Sequence, residues 1–402
     1  MSGTASDLPR LSHTLISALR EMLPESGGPY PLHAPEFEGH ELEYVDDCIK
    51  TGWVSSVGSY VDRFERDLAA FCGVKRAVAV SNGTASLHIS LLACGVKRDD
   101  EVLIPDLTFV ATANAVTYLG AIPHLVDCES TSLGVDAAAL DDYLKEIAAL
   151  RPEGLINKIT GRRISALVPM HTFGHPCDME ALSALCERCH LTLIEDAAEA
   201  IGSFYHGRHC GNFGKVAALS FNGNKTITTG GGGAVLTNDE ELGALIKHLT
   251  TQAKVPHAFR FRHDHIGYNY RMPNLNAALG CAQLEQLERK LTLKRIVAAR
   301  YERLFRKVAG FSFVKEPPYC KSNYWLNAIL LDRSCAELRD DIITALNENG
   351  IGSRPVWDLM SSLPMFKDCP RMPCPVAEDI SSRLINLPSS PKLANLPEPD
   401  GV

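Results

Sequence analysis

The sequence contains no uninterrupted run of about 18 apolar residues, which is close to the length that a membrane-spanning helix needs. It also has no long basic run, and the formal net charge of its 402 residues is −8. We therefore do not expect binding to nucleic acid or to an anionic membrane as its main role. The N-terminal stretch carries early charges and no long apolar core, so it does not resemble a secretory signal. We expect a cytoplasmic protein.

A regular cysteine framework is absent too, although the chain has 13 cysteines. They are odd in number and scattered from Cys48 to Cys374 in mostly apolar segments, unlike a secreted disulfide scaffold. Cys186-Glu-Arg-Cys189-His190 has the spacing of a c-type haem attachment site. Because it lies inside an amphipathic helical pattern, we interpret its cysteines as buried helix residues. No second cysteine pair has zinc-binding spacing and no P-loop pattern occurs, so we expect no metal.

What the sequence does contain is a series of short β-type runs that alternate with helical patterns. The runs are RAVAVS (76–81), EVLIP (101–105), AIPHLVD (121–127), ISALVPM (164–170), LTLIED (191–196), VAALSFN (216–222) and GAVLT (233–237). Strands that alternate with helices predict an α/β fold with a mostly parallel sheet covered by helices on both faces.

The length of the chain exceeds what one core usually fills, which favours two domains. We predict an N-terminal arm at residues 1–40, with one short amphipathic helix followed by a stretch rich in proline and glycine. A large α/β domain follows at 41–275. Near residue 276 the pattern changes to one long helix, apolar at i, i+3, i+4 and i+7. It begins a smaller C-terminal α+β domain at 276–402.

Small residues follow the first predicted strand. Ligands of open α/β sheets bind outside the carboxyl ends of the strands, so these positions are candidates for binding. Gly83, Thr84 and Ala85 open a helix, where free backbone N–H groups and the helix dipole favour a phosphate. The alternative is a plain strand-to-helix turn capped by Thr84 or Ser81.

Aromatic and ionisable residues follow the other strands. Phe109 is either a core residue or a ring stacked on a flat ligand. His171 fits a partly buried imidazole. Asp196 ends a buried strand, where a carboxylate costs free energy unless it faces a cation or several hydrogen-bond donors. The alternative is that Asp196 caps the next helix. Ser220 and then Lys225 follow the next strand, just before four consecutive glycines.

One cofactor, pyridoxal phosphate, accounts for these residues together. It needs a lysine amine for its aldehyde, an acid for its ring nitrogen, a hydroxyl and a helix start for its phosphate, and an aromatic ring beside its own. We therefore predict that Lys225 is the covalent anchor and then the proton carrier. Because a facing cation lowers the pKa of a carboxyl, we expect Asp196 to stay ionised at neutral pH.

From about residue 35 to its C-terminus, the chain resembles the DegT/DnrJ/EryC1 sugar aminotransferases, which are fold type I pyridoxal-phosphate enzymes. The motifs that carry the resemblance are TGWVSSVG (51–58), SNGTASL (81–87), PDLTFVATANA (105–115), HTFGHPCDM (171–179), EDAAEAIGS (195–203), SFNGNKTITTGGGG (220–233), GYNYRMPNLNAALG (267–280) and RPVW (354–357). The resemblance implies a mostly parallel, seven-stranded sheet between layers of helices, with a smaller C-terminal α+β domain.

The resemblance also implies roles for individual residues. Lys225 matches the lysine that binds the cofactor covalently, and Asp196 matches the partner of the pyridine nitrogen. Glu199 matches the residue that hydrogen-bonds the ring hydroxyl, and Phe109 matches the stacking aromatic. The residues that match the phosphate cradle are Gly83, Thr84, Ala85 and Ser220. Asn269 matches the residue that reaches the phosphate from the other subunit, which implies a homodimer with shared active sites.

Within the family, the motifs at 51–58 and 220–233 are most similar to the LegC group. This similarity implies glutamate as the donor and C4 of a UDP-linked 4-keto-6-deoxy-N-acetylhexosamine as the acceptor, in glycan or surface-polysaccharide biosynthesis. His265 stands where the family pattern has an acid. The candidate substrate residues, each of which also fits a packing or surface role, are Trp53, Ser55, His171, Arg354 and Trp357.

Other activities remain as alternatives. The acceptor is alternatively a C3-keto nucleotide sugar or an eight-carbon sugar acid, since members acting on these share nearly the same motifs. A pyridoxal-phosphate-dependent sugar dehydratase would have histidine in place of Lys225. A non-catalytic relative would be expected to have lost Lys225 or Asp196.

Overall fold

Three helices precede the first strand in the computed structural model of this protein, which describes residues 8–397. They are α1 (Leu8–Met22), α2 (Glu41–Thr51) and α3 (Ser59–Cys72). α1 is amphipathic, and it buries Leu11, Leu15 and Leu19, which recur every four residues on one face. The predicted arm therefore contains a packed helix, and the first seven residues of that arm lie outside the described residues.

Nine strands form the central sheet. The strands up to residue 237 are β1 (Arg76–Val80), β2 (Glu101–Pro105), β3 (Ile122–Val126), β4 (Ala148–Arg151), β5 (Gly154–Asn157), β6 (Arg163–Leu167), β7 (Thr192–Asp196), β8 (Phe204–Tyr205), β9 (Arg208–His209), β10 (Val216–Ser220) and β11 (Gly233–Thr237). Seven strands of the central sheet follow the order β1-β11-β10-β7-β6-β2-β3. The other two are β4 and β5, which pair with each other, and β5 also pairs with the start of β6. The strands from β10 to β3 are parallel, whereas β11 is antiparallel to both of its neighbours.

The seven strands of that path are the seven that the sequence predicts, so the α/β class and the mostly parallel sheet are confirmed. The count of seven is too low, because the hairpin of β4 and β5 adds two strands. Each is only four residues long, and Pro152 and Gly154 interrupt the apolar pattern there.

Helices cover both faces of the sheet. The helices that follow its strands are α4 (Gly83–Ala93), α5 (Val110–Tyr118), α6 (Ala137–Ile147), α7 (Met179–Cys189) and α8 (Glu240–Thr250). α4, α5 and α8 pack in a core on one face, and α6 and α7 pack in a core on the other. Successive strand residues point to opposite faces. In β2, accordingly, Val102 packs in the first core and Leu103 in the second.

The C-terminal part of the chain has its own antiparallel sheet, of order β14-β16-β18-β17. Its helices and strands, in chain order, are β12 (Lys254–Val255), β13 (Arg262–His263), α9 (Asn274–Glu285), α10 (Leu287–Phe305), β14 (Phe311–Phe313), β15 (Cys320–Lys321), β16 (Asn327–Leu331), α11 (Arg339–Glu348), β17 (Arg354–Pro355), α12 (Pro375–Arg383) and β18 (Leu384–Leu387). β15 instead pairs with β8, next to β9, in a small sheet.

The long helix predicted from residue 276 is wrong, because the chain turns at Gln286 and forms two helices, α9 and α10. The two helices pack mainly in different cores. Ala277 and Cys281 of α9 pack with α3 against the large sheet, whereas Val297 and Tyr301 of α10 pack with α1 and α11. Only the start of α10, at Leu287, also belongs to the core of α9. The predicted domain limits stay predictions, although α9 packs with the larger sheet and α1 with the smaller one. No helix within residues 8–397 is both long and apolar enough to cross a bilayer.

Leu15 provides a test of the packing of α1. Its side chain is fully buried, so Leu15→Ala should lower the free energy of unfolding by about 2–5 kcal/mol, through lost burial and the cavity left behind. Thr14→Ala changes an exposed residue one position earlier and should stay within about 0.5 kcal/mol of the parent. Urea unfolding followed by circular dichroism measures both. Equal effects of the two substitutions would contradict the packing described here.

Candidate active site

Most of the predicted site residues meet at the carboxyl edge of the large sheet, in a cavity of about 250 Å³. β7 and β10 are parallel neighbours, and Ala218 pairs with Asp196 in register. The end of β7 therefore lies beside the end of β10, where Ser220 is followed by the turn that carries Lys225. The predicted residues that line this cavity are Gly83, Thr84, Phe109, Asp196, Glu199, Ser220, Lys225 and Trp357.

Lys225 forms the central ion pair of the cavity. Its Nζ lies 3.0 Å from Oε1 of Glu199, and its side chain is 13% exposed. The other carboxylate oxygen of Glu199 accepts a hydrogen bond of 2.9 Å from the backbone N–H of Phe173. Burial raises the pKa of Glu199 to about 7, although Lys225 opposes that rise. The amine is thus held beside an acid that titrates near neutral pH.

Trp325 covers the same amine from another side. The Nζ of Lys225 lies 3.7 Å from the centre of the Trp325 indole ring, within the range of a cation–π contact. The indole N–H donates to the backbone oxygen of Asn224, the residue before Lys225, over 2.7 Å. A residue of the C-terminal part of the chain therefore completes the wall around Lys225.

Asp196 is buried at the end of β7. Its Oδ2 accepts a hydrogen bond of 2.6 Å from the Thr112 hydroxyl, and its Oδ1 accepts one of 3.2 Å from the Ala198 N–H. Burial raises the pKa of Asp196, and Thr112, Ala198 and Lys225 oppose that rise. The sequence-based expectation of a lowered pKa is therefore not met by the groups of the protein alone, because burial outweighs the donors. A cationic group facing this carboxyl would reverse that balance.

The turn between β1 and α4 approaches the end of β10 very closely. A Cβ atom added to Gly83 would lie 2.8 Å from the Cβ of Ser220, so only glycine fits at this position. Asn82 caps the helix, since its side chain accepts a hydrogen bond of 2.8 Å from the Ala85 N–H. The prediction that Thr84 or Ser81 is the cap is therefore wrong. The first N–H groups of α4, like those of any helix, have no intrahelical acceptor, and here they adjoin the Ser220 hydroxyl.

A larger cavity of about 580 Å³ adjoins the first one. The two cavities share Phe109 and Trp357, whose ring centres lie 6.1 Å apart, together with Asn224 and Trp325. Arg354 lines only the larger cavity, as does Asp358. The cavity beside Lys225 is therefore continuous with a space that is large enough for a second, larger molecule.

His171 does not reach either cavity. It is fully buried, its Nε2 lies 3.0 Å from Oε2 of Glu195, and its Nδ1 accepts a hydrogen bond from the Cys177 N–H. The expected substrate contact of His171 is therefore corrected, because Glu195 and the Cys177 N–H occupy its two ring nitrogens. Its backbone N–H donates to the Asp196 carbonyl, so the residue supports the strand end that carries that acid.

Three further predicted residues lie on the surface of the chain, outside both cavities. Trp53 and Ser55 belong to the loop between α2 and α3, where their carbonyls accept hydrogen bonds from Asn274. Asn269 is exposed and pairs through its backbone with Thr251. Ala85 does not line the cavity either, and its N–H donates to the Asn82 side chain.

Trp325 and Thr112 are the main contacts that the sequence did not predict. Thr112 lies in the first turn of α5, three residues after its N-cap Phe109, so helical spacing was a usable signal for it. Trp325 comes from the C-terminal sheet, far from the motifs around Lys225, and no local pattern indicates that it reaches them.

A cluster of potential metal ligands occurs elsewhere in the described part of the chain. It consists of His248, Asp264 and His265, and the Asp264 carboxylate lies within hydrogen-bond distance of both imidazoles. The cluster is on the surface and lines neither cavity, so it takes no part in the site described here.

Comparison with known proteins agrees with this geometry. Residues 35–397 match the model of the DegT/DnrJ/EryC1/StrS aminotransferase family. GDP-perosamine synthase of Vibrio cholerae is 39% identical over 91% of this chain and 95% of its own length. The enzyme of the same name from Caulobacter vibrioides is 36% identical over 96% of this chain and 94% of its own. Among solved structures, Helicobacter pylori PseC, an aminotransferase involved in the biosynthesis of pseudoaminic acid, superposes with a TM-score of 0.81 at 25% identity, covering 89% of this chain and 93% of PseC.

The raised pKa of Glu199 predicts a pH dependence of stability. Between pH 4.5 and about 7 the folded protein keeps a proton that the unfolded chain has lost, so this residue makes the free energy of unfolding fall as the pH rises. Glu199→Gln removes that contribution. We expect the difference in free energy of unfolding between the parent and the variant to change across this window in the cofactor-free protein.

Urea titrations at several pH values measure this difference. The exposed Glu187→Gln is the matched control, and its difference from the parent should not change in the same way. A difference for Glu199→Gln that stays constant from pH 4.5 to 7 would show that burial does not perturb this carboxyl.

Proposed function

We propose, since this chain belongs to the DegT/DnrJ/EryC1/StrS aminotransferase family, that it moves an amino group from glutamate to C4 of a nucleotide-linked keto-sugar. The family makes the chain a sugar aminotransferase that depends on pyridoxal phosphate. The observation that carries the proposal is the contact between Lys225 and Glu199, inside a cavity that Asp196 and the start of α4 also line.

The residues present fit the cofactor. The start of α4 and the Ser220 hydroxyl line the same cavity, and there the N–H groups, the hydroxyl and the helix dipole favour an anion such as a phosphate. Within residues 8–397 the Asp196 carboxylate accepts hydrogen bonds from two donors, and a carboxyl buried to this extent gains from a facing cation. Lys225 supplies an amine within the same cavity.

When it is bound, pyridoxal phosphate supplies an aldehyde that receives the amino group and a ring that accepts electrons. We assign the covalent attachment of the cofactor to Lys225 and the contact with its ring nitrogen to Asp196. Glu199 would hydrogen-bond the ring hydroxyl, Phe109 would stack on the ring, and Ser220 would bind the phosphate together with the first N–H groups of α4.

The side chains around Lys225 also support a role for its amine in proton transfer. Once its amine is free, Glu199 accepts a hydrogen bond from it at 3.0 Å, and the Trp325 ring shields it from water on another side. A lysine that is held in this way can take a proton from the substrate carbon and return it without competition from solvent. The nearby carboxyl, whose pKa is about 7, allows the charge of the pair to change during that transfer.

The acceptor binds in the larger cavity, beyond Phe109 and Trp357. Arg354 is suited to a phosphate of the nucleotide or to the carboxylate of the donor, and Asp358 is suited to sugar hydroxyls. GDP is the favoured nucleotide, because two relatives that are at least 36% identical to this chain are GDP-perosamine synthases, named for a 4-amino sugar. The UDP-linked N-acetylhexosamine that the sequence motifs favour is the second candidate.

A panel of keto-sugars tests the acceptor. With glutamate as donor, we expect a GDP-linked 4-keto-6-deoxyhexose to be aminated with a kcat/KM about tenfold or more above that of the UDP-linked 4-keto-6-deoxy-N-acetylhexosamine, because tenfold needs only about 1.4 kcal/mol of pocket contacts. Mass spectrometry of the amino sugar and an assay of 2-oxoglutarate measure it.

Lys225→Ala is the control, and it should lose both turnover and the covalently bound chromophore. Preference for the UDP-linked sugar would favour the second candidate. Amination of only C3-keto sugars or eight-carbon sugar acids would overturn the proposal.

We also propose a homodimer in which Asn269 reaches the phosphate of the other subunit. The support is that Asn269 is exposed and lies outside the cavities of its own chain, although the resemblance gives it a role in binding the cofactor. The cytoplasmic location stays a prediction.

Subunit mixing tests the shared site. In a mixed dimer of Lys225→Ala and Asn269→Ala subunits, one of the two sites receives both changes and the other receives neither, so random mixing should restore about a quarter of the parental activity at limiting cofactor. The measurement follows activity after the two variants are unfolded and refolded together, with light scattering to give the mass. Activity no higher than that of the separate variants would exclude a site shared through Asn269.

A further inference from the structure

A buried lysine that has no part in the proposed chemistry lies directly behind the active site. Lys294 is on α10, its side chain is fully buried, and burial lowers the pKa of its amine to about 7. Within residues 8–397, no carboxylate oxygen lies at ion-pair distance from it. Burying an amine without a counter-charge costs free energy, which its hydrogen bonds must offset.

Those contacts are two backbone carbonyls. The Nζ of Lys294 donates to the oxygen of Trp325 over 3.1 Å and to the oxygen of Ser389 over 2.8 Å. It therefore links the residue that covers Lys225 to the segment that follows β18, the strand that pairs with β16.

Trp325 is fixed at several other points. Its N–H donates to Oδ1 of Asn323 over 2.8 Å, and its indole N–H donates to the oxygen of Asn224 over 2.7 Å. Tyr324, the preceding residue, has a φ of 47°, in the left-handed region that non-glycine residues rarely adopt. Such strain is kept only where surrounding contacts hold it, and one of the contacts that holds this turn is Lys294.

We propose that Lys294 is a positioning residue for the amino transfer, which acts by fixing the Trp325 carbonyl so that the indole ring holds the Lys225 amine in place. This inference rests on the proposed function of Lys225. A displacement of about 1 Å at a reacting group can cost about 100-fold in rate, so loss of this anchor should be felt in the proton transfer more than in substrate affinity.

Lys290 supplies a matched control. It lies one turn earlier on α10 and is also buried, and the pKa of its amine is also lowered, to about 8. Its Nζ donates to the Glu36 carbonyl over 3.0 Å and to Oε1 of Gln283 over 2.6 Å, and neither of these hydrogen bonds involves Trp325. The same substitution at both positions thus separates the loss of a buried amine from the loss of the link to Trp325.

The experiment compares Lys294→Met and Lys290→Met in the cofactor-loaded enzyme. Stopped-flow absorbance of the cofactor after mixing with glutamate gives the maximal rate of the first half-reaction and the apparent dissociation constant of glutamate. We expect Lys294→Met to lower the maximal rate by about 10–100-fold with a dissociation constant within about threefold of the parent. Lys290→Met should stay within about twofold in both quantities.

The pH dependence of the cofactor absorbance gives a readout that a purely structural role would not change. Lys294→Met should shift its midpoint relative to the parent, because the environment of the Lys225 nitrogen changes, and Lys290→Met should not. Equal effects of the two substitutions on rate and absorbance, or an effect of Lys294→Met on stability alone, would overturn the proposal.

Trp325 variants decide the question if Lys294→Met does not fold. Trp325→Phe keeps an aromatic ring over Lys225, whereas Trp325→Leu removes it. The proposal requires a larger fall in maximal rate for leucine than for phenylalanine, and equal rates would overturn it. If the parental enzyme does not respond to glutamate at all, the proposed function fails, and the role of Lys294 is then judged from the pH midpoint of the cofactor absorbance alone.

Discussion

The ion pair between Lys225 and Glu199 is the interaction on which the site depends. Its two atoms are 3.0 Å apart on side chains that are 13% and 1% exposed, so their attraction is stronger than it would be at the surface. Asp196 adds a second acid nearby, and burial raises the pKa of both carboxyls. With two acids and one amine, the cavity has more capacity for negative charge than for positive charge. A ring that carries a proton on its nitrogen supplies the missing positive charge, and this explains why the arrangement suits the family's cofactor.

The topology of the sheet places these groups. β7 and β10 are parallel neighbours, which puts Asp196 and Ser220 at the same edge, and β11 returns between β10 and β1 to bring the start of α4 there as well. Two glycines make the close contacts possible. A Cβ on Gly83 would collide with Ser220, and one on Gly233 would lie 2.7 Å from the backbone of Asn82. The cradle for the phosphate therefore depends on backbone approach more than on particular side chains.

The sequence predicts this part of the protein well, because strand periodicity and the position of strand ends are local properties. The seven strands of the main path and the grouping of Gly83, Asp196, Ser220 and Lys225 follow from them. The contacts that the sequence did not predict depend on tertiary structure. The apolar pattern continues across Gln286 and does not indicate the turn between α9 and α10, and Trp325 reaches Lys225 only through the packing of the C-terminal sheet. His171 follows a strand like the others, but Glu195 turns its ring away from the cavity.

The buried groups beside Lys225 indicate the reaction more narrowly than the larger cavity indicates the acceptor. The amino transfer needs a few buried groups at fixed distances, so a substitution among them should lower the rate. The cavity that we propose for the acceptor is more than twice as large, and there Arg354 and Asp358 are exposed and make no ion pair with each other. The segment that follows them is bonded to the residue after β2, since the Asp106 carboxylate accepts hydrogen bonds of 2.7 Å from both the N–H and the hydroxyl of Ser361. Side chains in such an open cavity can change between relatives without disturbing Lys225, so nucleotide preference can diverge while the chemistry at the sheet edge stays the same.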